Sequence, residues 1–191
     1  MTAHPATDCG VYFATLYRVA RTVNSSLDVM QALDTIVRSA VEALGVKACS
    51  LRLLGPDGKR LMFGAAHGLS AAYRAKGSVD VARSEVDRLA LTAAKPIYVA
   101  DAGSDARFQY PEQAREEGIV AVLICPLRVQ GQPIGVMRVY TGEPRAFSEA
   151  ELELVEAIAS LSALAIENAR LYERLDRNYQ AAVEFGDRLF D

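Results

Sequence analysis

The segment from Gly118 to Tyr172 constrains the fold more strongly than any other part of the chain. Residues 119–129 are almost all apolar, with many β-branched side chains and no helix caps, which predicts a strand buried on both faces. Residues 134–140 form a second predicted strand. The dipeptide Gln130-Gly131 tolerates a positive φ, and Pro133 fits only at the start or the edge of a strand. The sequence therefore predicts a tight hairpin here.

A long helix is predicted directly after this hairpin, because the spacing of the apolar residues changes from about 2 to about 3.6. Ser148 stands three residues before Glu151, which is the pattern of a capping box. Glu149 and Glu153 add negative charge at the positive end of the helix dipole. We therefore expect the helix to begin at Ser148.

The predicted helix is longer than one sheet can cover. A seam of apolar and amide residues keeps a 3-4 spacing along it: Leu161, Leu164, Asn168, Leu171, Leu175, Asn178, Ala182, Phe185 and Leu189. The two asparagines would weaken a helix pair while specifying its register. We therefore expect a homodimer through Leu161, Leu164, Leu171 and Leu175, built on the first and last helices.

Length and composition set the limits on domain count and partners. The chain has 191 residues, 51% of them hydrophobic, and this is enough to bury one core. We expect a disordered tail at 1–10, one domain at 11–175 and a coiled-coil-like helical extension at 176–191. A net charge of −3 provides no broad basic surface for nucleic acid or for an anionic membrane. Without a run of roughly 18 apolar residues or a signal peptide, the sequence predicts a cytoplasmic protein.

The other predicted elements are helices and short strands. In chain order they are helices at 11–23 and 27–44, strands at 47–54 and 60–67, a brief strand at 79–81, a helix that Ser84 and Asp87 open and that ends near 94, a strand at 97–100 and a small helix from Pro111. Antiparallel hairpins between long terminal helices indicate an α+β fold with the long helices on one sheet face. Loops and short helices would cover the other face, where a ligand cavity forms most readily.

Three stretches of the chain, at 25–70, 95–108 and 118–175, carry a family resemblance. The order and spacing of PL, IGV, FSEAELELVEAIA and AIENARLYE in the last stretch are similar to those of GAF domains. The resemblance covers roughly 16–175. It implies a PAS-like antiparallel sheet of about six strands, with the first, second and last helices on one face and a small-molecule pocket on the other. Members are sensory or regulatory modules, often dimeric.

The ligand chemistries known in GAF domains can be compared with the residues present. The stretch SDARFQYPEQAREEG has no cysteine for bilin attachment, and the Asn-Lys-x-Phe-x-Asp-Glu signature of cyclic-nucleotide-binding members is absent. We expect His67, at a strand end, to be structural rather than a haem ligand. No G-x-S-x-G, HExxH or glycine-rich phosphate loop occurs. The sequence therefore names no cofactor and predicts that the protein is not an enzyme.

The three cysteines, Cys9, Cys49 and Cys125, are widely spaced, and the last two lie in predicted strands. They indicate neither a disulfide framework nor a zinc site. We expect Cys49 and Cys125 to be buried, inert thiols. Some GAF-like proteins are cysteine-based methionine sulfoxide reductases, and this activity is the weakest alternative, because the cysteines form no cluster.

Strand alternation supplies the sharpest site prediction. Arg52 in the first strand and Arg138 in the last strand each lie opposite the face that suits the long helices. If these strands are neighbours, as the resemblance implies, both guanidinium groups turn toward the pocket. They then need a carboxylate from the covering loops or an anionic ligand. The candidate carboxylates are Asp80, Glu85, Asp101 and Asp105. A structural ion-pair network and an anion site both stay open.

Aromatic residues in the covering segments complete the predicted site. Tyr73, Phe108 and Tyr110 are candidates to line the same cavity, although core packing also explains them. Asp101 is expected to brace its loop through backbone groups, and it is counted among the candidate ligand-binding residues.

Two classes of function follow from these features. The first is a non-catalytic regulatory module whose ligand changes the geometry of paired helices, and through them a histidine kinase, cyclase or transcription factor acting in trans. The second is a dimerisation or interaction domain with a vestigial pocket. The sequence names neither the small molecule nor the partner.

Overall fold

The computed structural model of the protein describes residues 9–25, 28–93 and 95–190. In these ranges the helices are α1 (Cys9–Ser25), α2 (Val29–Leu44), α3 (Ala71–Arg74), α4 (Glu85–Ala93), α5 (Pro111–Glu116) and α6 (Glu149–Phe190). The strands are β1 (Ala48–Leu54), β2 (Arg60–His67), β3 (Val79–Asp80), β4 (Ile97–Val99), β5 (Ala121–Val129) and β6 (Gln132–Thr141). Residues 1–8 of the predicted tail lie outside the described part of the chain, and Cys9 already begins α1.

The six strands form one antiparallel sheet in the order β3-β2-β1-β6-β5-β4. This confirms the predicted α+β fold. The turn of the β5–β6 hairpin has φ values of +48° at Gln130 and +82° at Gly131. Two positive values in succession are what a two-residue hairpin turn requires, so the predicted turn is confirmed. β1 and β6 are neighbours although they lie far apart in the chain.

Each face of the sheet packs against its own apolar cluster. On one face α1, α2 and α6 pack around Leu51, Met137 and Val139. On the other face the short helices α3, α4 and α5 cover Val122 and Val136. The prediction that the long helices share one face is therefore confirmed.

One residue of β6 departs from the predicted alternation. Strict alternation along β6 would place Ile134 on the face of Arg138, but it packs against the cluster of the long helices. The register of the β5–β6 pair shifts between Leu127 and Arg128, close to the hairpin turn. Such a bulge increases the local twist, which accounts for the rotation of the first residues of β6.

The ends of α2 and α6 are set by their capping residues. The Asp28 carboxylate accepts hydrogen bonds from the backbone of Met30 at 2.8 Å and Gln31 at 3.3 Å, so α2 begins at Val29. Leu27, the predicted start, lies outside the described residues. The capping box of α6 is confirmed, since Ser148 N donates to Glu151 at 2.8 Å and Glu151 N donates to Ser148 Oγ at 3.3 Å.

Gly135 lies where β6 passes closest to β1. A Cβ atom at this position would lie 2.2 Å from the carbonyl oxygen of Arg52. We expect Gly135→Ala to lower the free energy of unfolding by about 2–3 kcal/mol, because the backbone of β1 must shift. Gly142→Ala is the matched control, since its Cβ would meet nothing closer than 3.6 Å. Urea denaturation of both variants measures the difference, and equal stabilities would contradict the close approach.

Candidate functional site

Arg52 and Arg138 are the centre of the candidate site. The register pairs Arg52 with Val136 and Ser50 with Arg138, so the two arginines are diagonal neighbours on one sheet face, about 7–8 Å apart at the backbone. Both side chains are buried, with exposed fractions of 2% and 1%. They turn away from the long helices, as the strand alternation predicted.

Arg138 forms an ion pair with Asp87 of α4. Its Nε donates to Asp87 Oδ1 at 3.1 Å, and its Nη2 donates to Asp87 Oδ2. Ser84 Oγ adds a hydrogen bond to the same Oδ2 at 2.5 Å. Burial by itself would lower the pKa of Arg138, but the Asp87 carboxylate outweighs it and the pKa is raised.

The neutralising carboxylate is therefore a residue that the sequence reasoning had treated only as a helix-opening partner of Ser84. None of the four predicted candidates, Asp80, Glu85, Asp101 and Asp105, pairs with Arg138. Asp87 lies three and four residues before the buried Ala90 and Leu91, so it shares their face of α4. An aspartate on the apolar stripe of a helix was the signal that could have found it.

Arg52 has a different environment. Its Nη1 donates to the carbonyl oxygens of Gly77 at 3.1 Å and Leu61 at 3.5 Å. Its Nε is buried without a hydrogen-bond partner in the described structure, where no carboxylate pairs with this side chain. Burial, followed by the charge of Arg138, lowers the pKa of Arg52.

Lys76 is a third cation at this site, and the sequence reasoning missed it. Its Nζ lies 3.2 Å from the centroid of the Tyr73 ring and 5.1 Å from that of Tyr110. The amine is buried and has no hydrogen-bond partner in the described structure. Burial, followed by the charges of Arg138 and Arg52, lowers the pKa of Lys76 to about 6. Arg52, Lys76 and Arg138 are called the cationic cluster below.

The three predicted aromatic residues border the cationic cluster. Tyr73 packs edge-on against Tyr140 at 6.1 Å between ring centroids, and its hydroxyl is buried without a partner in the described residues. The Phe108 ring lies 5.5 Å from the guanidinium carbon of Arg138. The Tyr110 hydroxyl donates to the Ser78 carbonyl oxygen at 2.9 Å, which holds the segment after Lys76 against the site.

Asp101 lies apart from the cationic cluster. It is exposed, and its carboxylate accepts hydrogen bonds from Gly103 N at 3.0 Å and Ser104 Oγ at 2.6 Å. These hydrogen bonds hold the pKa of Asp101 below its usual value, and the bond from the Ser104 side chain has the largest effect. The structure therefore brings five of the six predicted site residues together and places Asp101 in a separate loop.

The fold and the site can be compared with known proteins. The family model of the GAF domain matches residues 28–166. The chain belongs to the GAF domain family. GAF domains are sensory and regulatory modules that bind small molecules in signalling proteins. No curated protein shows a significant match to the chain.

Solved structures of other GAF-like domains resemble this GAF domain closely in fold. The GAF domain of a phosphoenolpyruvate-protein phosphotransferase from Coxiella burnetii is 24% identical, with a TM-score of 0.75, covering 86% of this chain and 98% of its own. A domain of a protein described as a two-component sensor histidine kinase from Sinorhizobium meliloti is 26% identical, with a TM-score of 0.64 and coverages of 78% and 98%. Free methionine-R-sulfoxide reductase from Neisseria meningitidis is 17% identical, with a TM-score of 0.71 and coverages of 90% and 98%.

The cysteines of this GAF domain do not meet in the structure. Cys49 on β1 and Cys125 on β5 are buried on the face of the long helices, and β6 lies between their strands. Burial raises the pKa of both thiols, that of Cys125 to about 12. The prediction of two buried thiols is confirmed, and both lie on the opposite sheet face from the cationic cluster.

The described part of this GAF domain contains neither a candidate metal-holding group nor a candidate membrane-spanning helix. Its His, Cys, Asp and Glu side chains form no group of three or more that could hold a metal ion. Its helices also include none with the length and apolar character of a membrane span.

Proposed function

We propose that this GAF domain is a non-catalytic regulatory module that binds a small molecule on the sheet face covered by α3, α4 and α5. The observation that carries the proposal is a group of buried polar atoms without hydrogen-bond partners among the described residues: Arg52 Nε, Tyr73 Oη and Lys76 Nζ. Each such atom costs about 1–3 kcal/mol when it stays unpaired. A ligand that pairs with them removes this cost, which favours binding at this place.

The same strand connects the proposed ligand face to the long helices. Arg138 of β6 faces the cationic cluster, while its neighbours Met137 and Val139 pack against the helical cluster on the other side. α6 follows β6 in the chain. A displacement of β6 on ligand binding would therefore reach α6 directly.

We propose that α1 and α6 form the surface that pairs with a second copy of the chain. This outer helical face consists of exposed apolar and aromatic residues: Val11, Phe13, Tyr17, Leu164, Leu171, Tyr172, Leu175 and Tyr179. Phe13 shares a helical spacing with Leu16 and Val19, which predicts a packed side chain, but it is 74% exposed. Leu161, expected in the seam, packs against the core of its own chain instead. The side chains of Ala182, Phe185 and Leu189 lie outside the described part.

The output of the module is a signalling partner in trans. The similarity to the Sinorhizobium meliloti protein favours a histidine kinase, with a cyclase or a transcription factor as the other options from the sequence. The cytoplasmic location stays a prediction. The reductase alternative is disfavoured, because a buried thiol with a raised pKa supplies little thiolate for catalysis.

A ligand screen tests the proposed function. Thermal denaturation and native mass spectrometry are carried out with nucleotides, haem, bilins and small anions. At a hundred times its dissociation constant, a ligand adds about 2.7 kcal/mol, which raises the Tm by about 5–10 °C. Tyr73→Phe, which removes only the unpaired hydroxyl, should stabilise the free protein by about 1 kcal/mol and reduce the ligand-induced shift.

Asp101→Asn is the matched control for this screen, because Asp101 lies outside the cluster and the variant should keep the full shift. If no compound changes the Tm or the mass, the ligand-binding function is wrong, and the dimerisation domain with a vestigial pocket is the better description.

A further inference from the structure

The interior beneath α3 contains more positive than negative charge. The cationic cluster brings three cationic side chains, Arg52, Lys76 and Arg138, near one fully buried carboxylate, that of Asp87. Both oxygens of Asp87 already accept hydrogen bonds from Arg138, and one accepts from Ser84 as well. Asp87 therefore compensates Arg138, and no carboxylate in the described part of the chain pairs with Arg52, or with Lys76 when its amine is protonated. An unbalanced buried charge is unfavourable by several kcal/mol, so the site favours an added anion.

The free donors of the cationic cluster lie around one short segment. Arg52 donates to the carbonyl oxygen of Gly77, the residue after Lys76, so its guanidinium group lies beside the lysine backbone. The Lys76 amine in turn lies over the ring of Tyr73. Arg52 Nε, Lys76 Nζ and Tyr73 Oη are all buried in this region, and none of the three has a hydrogen-bond partner in the part of the chain that the structure describes.

The segment that contains Tyr73 and Lys76 is bounded by two glycines with positive φ, +80° at Gly68 and +94° at Gly77. Substitution at Gly68 is doubly disfavoured, because a Cβ would lie 2.2 Å from the Lys47 carbonyl oxygen. These glycines set the bends that fold the segment over the arginines.

We propose that the cationic cluster binds one anionic group, a carboxylate or a phosphate, of the small molecule that this GAF domain senses. Arg52 Nε and Lys76 Nζ donate hydrogen bonds to it, and the Arg138–Asp87 pair supports the site without contacting the anion. A planar guanidinium group matches the oxygens of either anion, and charged donors form the stronger hydrogen bonds. The inference rests on the proposed function and specifies the chemical class of its ligand.

Anion binding at this place is coupled to the protonation of Lys76. The charged and aromatic groups around its amine are Arg52, Arg138, Asp87, Glu117 and the rings of Tyr73 and Tyr110. In the free protein the pKa of Lys76 is lowered to about 6, so the amine is mostly neutral near pH 7. An anion beside the amine raises this pKa, and binding takes up a proton. Affinity is therefore highest below about pH 6 and falls as the pH rises toward the pKa of the bound state.

Isothermal titration calorimetry with sulfate and with acetate tests the inference on the full chain. Sulfate represents the phosphate, and neither anion titrates between about pH 6.5 and about pH 8, so proton uptake belongs to the protein. Titrations in buffers of different ionisation enthalpy count the protons at constant ionic strength. We expect binding by at least one of the anions, with close to one proton taken up at about pH 7.5 and an affinity roughly twentyfold weaker at about pH 8 than at about pH 6.5. The anion that binds more tightly identifies the ligand group.

Three variants identify the residues responsible. Arg52→Met should weaken anion binding at least tenfold, and Lys76→Met should abolish both the proton uptake and the pH dependence. Lys59→Met is the control, because Lys59 is an exposed lysine that lines a separate surface depression. Circular dichroism checks the fold of each variant. If a variant does not fold, the number of protons taken up by the unmodified chain still tests the inference.

The possible failures separate the two proposals. The anion site is wrong if neither anion binds, if binding takes up no proton, or if Arg52→Met and Lys76→Met bind as tightly as the unmodified chain. If a neutral compound from the ligand screen binds Arg52→Met and Lys76→Met as tightly as the unmodified chain, the regulatory function is supported and the anion site is wrong. Only the absence of binding by every compound and both anions would overturn both proposals.

Discussion

Replacing Asp87 with asparagine is expected to lower the free energy of unfolding by about 3–5 kcal/mol, because it leaves the Arg138 guanidinium buried without a counter-charge. Asp87 is the only carboxylate that pairs with Arg138 in the described part of the chain, and neither side chain is more than 1% exposed. The neutral amide keeps the shape of the side chain and one acceptor oxygen, so the loss reports the charge rather than a cavity. Urea denaturation at neutral pH measures it.

The surface pair of Asp105 and Arg107 supplies a matched control for Asp87→Asn. It has the same two-point geometry, with Arg107 Nε 3.0 Å from Asp105 Oδ1 and Nη2 2.6 Å from Oδ2. The side chains of Arg107 and Asp105 are 44% and 17% exposed, so solvent screens this pair and Asp105→Asn should cost about 1 kcal/mol or less. The double variant Asp87→Asn with Arg138→Met should recover much of the lost stability, because it removes the stranded charge. Equal losses from Asp87→Asn and Asp105→Asn would contradict a buried, unbalanced charge at the site.

Local patterns in the sequence were sufficient for most of the fold. The glycine after Gln130, the Ser148–Glu151 spacing and the alternation in β1 and β6 each act over a few residues, and the structure has the turn, the cap and the strand faces that they predicted. Ile134 was mispredicted because it is the extra residue of a bulge, which lies between the pairs Leu127–Gly135 and Arg128–Pro133. A register shift between strands depends on pairing, which a single strand does not encode.

Only the part of the candidate site that depends on the alternation of side chains along a strand was predictable from the sequence. The shared sheet face of Arg52 and Arg138 could be predicted, because side chains alternate along each strand and β1 is the neighbour of β6. Asp87 comes from a helix 51 residues before Arg138, and only the tertiary packing of α4 on the sheet brings the two together. Lys76 was missed because lysines in short polar loops usually extend into solvent, whereas this one is drawn inward over the Tyr73 ring.

The cationic cluster and the outer helical face lie on opposite sides of one sheet, and this arrangement has a physical consequence for signalling. The arginines cannot move without their strands, because both belong to the central β1–β6 pair. The helical cluster packs against the other side of the same strands through Leu51, Met137 and Val139. Close-packed interiors transmit small displacements rather than absorbing them. A ligand that rearranges the cationic cluster therefore changes the packing of α6 on the sheet. The proposed dimer depends on the position of α6.

Leu171→Glu and Leu175→Glu are expected to dissociate the proposed homodimer, and this is the second large effect. Both leucines lie on the outer helical face, 46% and 65% exposed within one chain. In a symmetric dimer each substitution occurs twice, and each copy loses about 1–2 kcal/mol from burial of a half-exposed leucine, to which the cost of burying a carboxylate is added. A total of about 4 kcal/mol or more corresponds to a dissociation constant raised about a thousandfold. Sedimentation or light scattering at micromolar concentration should show a dimer for the unmodified chain and a monomer for each variant.

Met62→Glu is the control for the dimer prediction, because Met62 is 50% exposed but lies on β2, away from the outer helical face. It introduces the same charge at a similarly exposed apolar position, so it should leave the dimer intact. A monomeric mass for the unmodified chain would contradict the dimer itself. If the Leu171→Glu variant remains a dimer, the interface lies elsewhere on the chain. A displacement of β6 would then move α6 without changing the contact with the second copy.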